Sequence, residues 1–150
     1  MPIRGTIFLP GDKSISHRLL MIGSLSKGAS IVNNLSTGLD VESTRKCLIA
    51  CGINITQKSE FIYIKGSIFK SPKFPLDCGN SGTTGRLMSG ILAGQGVSAK
   101  LCGDESLSMR PMGRIINPLN EMGANIISKD DRLPITLSST SLIGMSYKLP

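Results

Sequence analysis

The sequence predicts an α/β fold, mixed α+β in its sheets, assembled from βαβαββ units. Three observations predict it. Short apolar runs alternate with stretches of helical periodicity. A shift of 68 positions lays Gly11 on Gly79, Arg18 on Arg86, Leu19 on Leu87 and Gly28 on Gly96. Two helix patterns also stop at a glycine and are followed by a pair of strand-like segments. With 150 residues, 40% of them apolar and 18% charged, the chain has the composition of a globular domain.

In chain order, Ile7-Phe8-Leu9 reads as a strand broken by Pro10-Gly11. Ile15, Leu19, Ile22 and Leu25 then recur at helical spacing. Val41, Thr44, Leu48 and Cys51 mark a second helix ending at Gly52, with strands expected at 53–56 and 61–65. The second unit repeats this order. A glycine-rich turn at 77–86 opens the Leu87, Met88, Ile91, Leu92 helix, and 99–102 is a strand. Met112, Ile115, Ile116, Leu119 and Met122 make a helix stripe ending at Gly123, followed by strands at 124–128 and 133–137. The units are expected at about 5–66 and 74–138. Leu149-Pro150 returns two periods after Leu9-Pro10, so a third unit is expected to begin at about 145–150 with a strand at 145–149. On this reading the chain is the N-terminal part of a longer protein, or one half of a split one, and is inactive alone.

A net charge of +7 points to an anionic partner. The 17 basic residues are scattered, with Arg45-Lys46 the only adjacent pair, and there is no Trp and few other aromatics on which bases could stack. A small anion therefore fits better than nucleic acid. No apolar run approaches the roughly 20 residues that span a bilayer, and the N-terminus lacks the pattern of a signal peptide, so a soluble cytoplasmic protein is expected. Cys47, Cys51, Cys78 and Cys102 show no C-x-x-C spacing; free buried thiols are expected rather than metal ligands.

Two turns carry the chemistry. In Pro10-Gly11-Asp12-Lys13-Ser14-Ile15-Ser16-His17-Arg18 a helix start offers unpaired N–H groups and the positive end of its dipole, with Lys13 and Ser14 at the mouth. Arg18 follows Ser14 by one helical turn, adding a forked cation. The same residues also describe an ordinary strand-to-helix turn with a solvated basic end. The turn from Asp77 to Arg86 repeats the device with short polar side chains and three glycines, and Asn80 or Ser81 can cap the helix. It is no Walker loop, since no Lys follows its final Gly. In Gly103-Asp104-Glu105-Ser106-Leu107-Ser108-Met109-Arg110-Pro111, Pro111 suits a first helical turn and leaves Arg110 at its entrance. There Arg110 can face the glycine turns or pair with Asp104 or Glu105.

PGDKSISHR, LDCGNSGTTGRL and GDESLSMRP, in this order, resemble the 5-enolpyruvylshikimate-3-phosphate synthases (3-phosphoshikimate 1-carboxyvinyltransferases). The resemblance runs through all 150 residues, about the first third of a family member. It implies the enolpyruvyl transferase fold of βαβαββ units, an alpha-beta prism. It also implies transfer of the enolpyruvyl group from phosphoenolpyruvate to the 5-hydroxyl of shikimate 3-phosphate, on the way to chorismate and the aromatic amino acids, without metal or organic cofactor. By the same resemblance Lys13 contacts phosphoenolpyruvate, and Ser14 and Arg18 hold shikimate 3-phosphate. Asn80, Gly82, Thr83 and Arg110 belong to the phosphoenolpyruvate side, with Lys13 and Arg110 the catalytic pair.

The general acid and base would lie in the part absent here; Asp12 and His17 match neither role, and His17 is expected to support the turn. Leu87 stands where many relatives have Pro; Gly82 stands where glyphosate-tolerant relatives can carry Ala, so the resemblance implies that this inhibitor would fit, with sensitivity left open by Leu87 and the absent part. The sister enzyme acting on UDP-N-acetylglucosamine shares the fold, but Lys13-Ser14 with Arg18 and GDESLSMRP fit the shikimate enzyme better. A small anion- or nucleic-acid-binding module is the alternative from another class.

Overall fold

The computed structural model describes residues 4–148. Residues 13–65 form α1 (Lys13–Leu25), β1 (Ala29–Asn33), α2 (Leu39–Ala50), β2 (Asn54–Lys58) and β3 (Phe61–Lys65). Residues 76–138 form β4 (Leu76–Asp77), α3 (Gly82–Gly94), β5 (Ala99–Cys102), the one-turn α4 (Glu105–Ser108), α5 (Gly113–Glu121), β6 (Asn125–Lys129) and β7 (Arg132–Ser138).

The first sheet is antiparallel with strand order β1-β3-β2. The second has the order β4-β5-β7-β6, with β4 parallel to β5 and the other pairs antiparallel. Each sheet buries alternate residues, Val32, Ile55, Ile62 and Ile64 in one, Leu101, Ile126, Leu133, Ile135 and Leu137 in the other. Helix contacts run α1 to α2, α2 to α3 and α3 to α5. One core therefore continues from Leu20 and Leu48 through Met88 and Leu92 into the second sheet. Gly52 (φ 89°) and Gly123 (φ 93°) take the left-handed conformation that ends α2 and α5, as their positions predict.

Four features differ from the sequence reading. Residues 7–9 are not a strand; Ile7, Phe8 and Leu9 are 81%, 91% and 76% exposed, and among the described residues no strand lies beside them to complete a ladder. Residues 145–148 form no strand either, and Leu149 and Pro150 lie outside the described residues. On α1 the apolar stripe points outward, with Ile15 58% and Ile22 65% exposed. Its core face is Ser16, His17, Leu20, Met21, Gly23 and Ser24, because the small residues admit Ile64 closely beside Gly23. Finally, Pro111 precedes α5 by two residues, and α4 occupies part of the expected loop.

Candidate functional site

The first turn owes its shape to a close backbone approach. A Cβ on Gly11 would lie 1.9 Å from the Asn34 carbonyl oxygen, so only glycine lets this turn rest against the end of β1. Asp12 Oδ1 accepts from the Ile15 N–H at 2.8 Å, capping α1. Ser16 Oγ accepts from the Ser36 N–H at 2.9 Å, tying the helix to the segment after β1. Lys13 and Ser14 thus sit at the exposed positive end of α1. Lys13 Nζ donates to Asp40 Oδ2 at 3.1 Å, and with side chains 59% and 31% exposed this pair can open to an incoming anion at little cost. Arg18 Nη1 donates to the Ser14 carbonyl at 3.2 Å.

The second turn is drawn tighter. The N–H of Gly79 (φ 55°) donates to Asp77 Oδ1 at 2.8 Å. Ser81 caps α3 by accepting from the Thr84 N–H at 3.1 Å. Helix geometry leaves the N–H groups of Gly82 and Thr83 without an intrahelical partner. Over Gly82 two guanidinium groups meet: a Cβ there would lie 2.6 Å from Arg86 Nη1 and 3.6 Å from Arg110 Nη1. Arg86 is held by donating Nη2 to the Pro111 carbonyl at 3.0 Å. Arg110 donates to Asn80 Oδ1, and to Ser106 Oγ at 3.4 Å. Asn80 Nδ2 in turn donates to Asp104 Oδ2 at 2.7 Å, while Asp104 Oδ1 caps α4 through the Leu107 N–H at 2.7 Å. Arg110 therefore faces the glycine turn and reaches Asp104 only through Asn80.

Asp40 joins the two turns. Its carboxylate takes Lys13, its carbonyl accepts from Thr84 Oγ1 at 3.3 Å, and with Gly79, Asn80 and Asp104 it lines a groove of about 380 Å³. Of the residues singled out in the sequence, Asn80, Gly82, Thr83 and Arg110 gather at the start of α3, and Lys13 is linked to them through Asp40. Ser14 and Arg18 remain on the exposed side of α1. Arg18 lines a second, mainly apolar groove together with Arg86. Sequence reasoning left Arg86, Asp40 and Asp104 out of the site. For Arg86 a signal existed, its alignment with Arg18 in the 68-residue repeat, and Asp104 stood beside Arg110 in one motif as a candidate partner; for Asp40 there was none.

His17 is buried, and desolvation pulls its pKa below the ordinary value of 6.5, with Lys13 and Arg18 adding to the fall and Asp40 opposing it. Its ring supports the core beneath the turn, as expected. Cys47, Cys51 and Cys78 are buried and Cys102 half-buried. Cys47 Sγ donates to the Asp77 carbonyl at 3.4 Å, and burial pushes the Cys51 thiol up to about 12. Among the described residues no three His, Cys, Asp or Glu side chains gather as a metal site would require, and no helix is long and apolar enough to cross a membrane.

Lys13 at the start of α1, and Arg86 and Arg110 over Gly82 at the start of α3, set cations beside free helix N–H groups in a mixed α/β fold, an arrangement whose chemistry suits phosphate or carboxylate groups. The chain belongs to the EPSP synthase (3-phosphoshikimate 1-carboxyvinyltransferase) family, whose model matches residues 1–150. It is 46% identical over 151 residues to the 3-phosphoshikimate 1-carboxyvinyltransferase of Ruthia magnifica subsp. Calyptogena magnifica, covering 98% of this chain and 35% of that protein. The Streptococcus mutans enzyme of the same name is 46% identical over 154 residues, covering 99% of this chain and 36% of that one. A 2.37 Å structure of EPSP synthase from Acinetobacter baumannii superposes with a TM-score of 0.89 at 37% identity, covering 97% of this chain and 34% of that chain. The fold is therefore that of the enolpyruvyl transferases, and the chain spans about a third of the length of the relatives it matches.

Proposed function

We propose that this chain forms one wall of a site that transfers the enolpyruvyl group of phosphoenolpyruvate to the 5-hydroxyl of shikimate 3-phosphate, releasing phosphate. The observation that carries the reading is Gly82, whose missing side chain leaves the start of α3 open beneath the Arg86 and Arg110 guanidiniums. Both substrates are phosphorylated carboxylates. Bringing them together requires several cations and helix N–H groups before any bond changes. Arg110, Asn80, Gly82 and Thr83 would receive phosphoenolpyruvate, with Lys13 leaving Asp40 to contact it; Ser14 and Arg18 would hold shikimate 3-phosphate. In the reaction the 5-hydroxyl oxygen bonds to the central carbon of phosphoenolpyruvate, its proton goes to a base, and the methylene carbon gains a proton. Loss of phosphate and of one methyl proton then restores the double bond. No side chain of this wall is assigned as that acid or base. The repeat boundaries near 66 and 74, a third unit beginning near 145, and a soluble, metal-free and cofactor-free enzyme belong to the same reading.

Phosphate release from the two substrates tests it, measured with this chain alone and with the remaining two-thirds of the enzyme supplied as a second polypeptide. Turnover is expected only in the mixture, and Lys13→Met, which keeps the stem and removes the charge, is expected to abolish it. Turnover by Lys13→Met equal to the unaltered mixture would overturn the assignment.

A further inference from the structure

Beneath the two turns runs an unbroken line of four buried polar side chains. His17 Nδ1 lies 2.7 Å from Thr44 Oγ1, Thr44 Oγ1 lies 2.7 Å from Thr84 Oγ1, and Thr84 Oγ1 donates to Ser81 Oγ at 2.7 Å. All four residues are at most 1% exposed. The line starts on α1, which carries Lys13, Ser14 and Arg18, crosses α2 at Thr44, and ends on the residue that caps α3 above Gly82.

Each hydroxyl has one proton to give, so the direction of one bond fixes the next. Thr84 gives its proton to Ser81, with the Asp40 carbonyl a longer alternative at 3.3 Å. Thr44 must then donate to Thr84, and the His17 Nδ1–H to Thr44. That order leaves His17 Nε2 as a bare lone pair. Nε2 is the one buried side-chain nitrogen or oxygen without a partner among the described residues, and an unpaired acceptor is easier to bury than an unpaired N–H. The two observations agree on one tautomer. Packing alone does not require any of this, because valine has nearly the shape of threonine and would fill both sites without a hydroxyl.

We propose that Thr44 and Thr84 are positioning residues, which through this directed chain hold the start of α1 and the Ser81 cap of α3 at a fixed spacing and so set the phosphoenolpyruvate pocket around Gly82. The kinetic part of the proposal rests on the substrate reading above; the bond order does not. Without the Thr84 hydroxyl, Ser81 Oγ keeps only the Thr84 N–H as a donor, and the contact of Thr84 with the backbone of Asp40, the partner of Lys13, is lost.

The test uses Thr44→Val, Thr84→Val and the matching serine variants in the polypeptide that carries this chain at its full length. Phosphate-release kinetics and the ¹⁵N shifts of the His17 ring are read on each. Valine at either position is expected to raise KM for phosphoenolpyruvate about fivefold, the size of one lost side-chain hydrogen bond of about 1 kcal/mol, with kcat changed less than about threefold. Serine should return KM to within about twofold of wild type. The wild-type ring should show the Nδ1–H tautomer, and Thr44→Val should mix the two tautomers. Valine variants with unchanged constants, or losses that serine does not repair, would overturn the proposal. So would an Nε2–H ring in the wild type. If the wild type releases no phosphate, the substrate reading fails by itself, and the ring measurement still decides the bond order; the same measurement decides if a valine variant does not fold.

Discussion

Replacing Gly82 with alanine adds one methyl group where two guanidiniums meet the start of α3. The new carbon would lie 2.6 Å from Arg86 Nη1, whereas ordinary contact begins near 3.4 Å. Arg86 must therefore retreat by about 0.8 Å, pulling against its 3.0 Å bond to the Pro111 carbonyl. Arg110 Nη1, 3.6 Å away, already stands at contact distance and is held toward Asn80. Gly82 does not occupy the left-handed region, so alanine strains nothing in the backbone and gains up to about 1 kcal/mol of helix propensity. Stability and ligand binding should thus move in opposite directions. A displaced guanidinium loses a charge-assisted bond to the anion worth about 1.5–3 kcal/mol, or about ten- to hundredfold in affinity. Calorimetry paired with substrate kinetics on the complete enzyme is the assay. Expected is a Tm equal to or above wild type, a KM for phosphoenolpyruvate raised at least about tenfold, and a KM for shikimate 3-phosphate within about twofold. A phosphoenolpyruvate KM within twofold of wild type, or a loss explained by a lower Tm, would refute the geometry.

Gly11→Ala should destabilise by at least about 2 kcal/mol, because its Cβ would strike the Asn34 carbonyl at 1.9 Å, and backbone cannot swing aside as a side chain can. Gly28→Ala, with nothing within 4 Å of the added carbon, is its control and should stay within about 0.5 kcal/mol by denaturant melting. Since the folded pKa of His17 is lowered from 6.5, the unfolded chain binds more protons below that pH. Its contribution is present above pH 6.5 and lost as pH falls, so wild-type Tm should drop more steeply than that of His17→Asn between pH 6.5 and 5; parallel curves would refute this. The thiols of Cys47, Cys51 and Cys78 should resist a thiol reagent at pH 8 until denaturant is added, since burial keeps the reagent from all three and the raised value of about 12 withholds the Cys51 thiolate.

The local grammar of the site was legible because it depends on neighbours in sequence. A Gly-Asp pair before a helix, a Ser three residues ahead of Thr84, and glycines where α2 and α5 must stop each state a backbone need that tertiary context does not alter. The repeat carried more. It placed an arginine one turn into both helices, and with that rule applied strictly Arg86 would have joined the site. Asp40 was not legible. An aspartate at the second position of a helix reads as dipole compensation, and only the packing of α1 against α2 brings Asp40 to Lys13.

The apolar stripe of α1 shows where hydrophobic periodicity stops being informative. Ile15, Leu19, Ile22 and Leu25 have the spacing of a core face, yet Leu20 and Met21 are the residues at 0% and 4% exposure. The helix is apolar on two sides, and the buried side is chosen by shape. Gly23 lets Ile64 close to 3.1 Å of its Cβ position, and Ser16 and Ser24 spend their hydroxyls on Ser36 and the Leu20 carbonyl. A row of branched Ile and Leu cannot come that near to a sheet. Periodicity therefore reports how many faces of a helix avoid water, while the pattern of small residues decides which one meets the sheet. On the other side Ile22 and Leu25 line an apolar groove with Ile91, Ile115 and Leu119, and Arg18 and Arg86 line it too. The two arginines that the repeat places alike thus line one groove, whose other residues are mostly apolar.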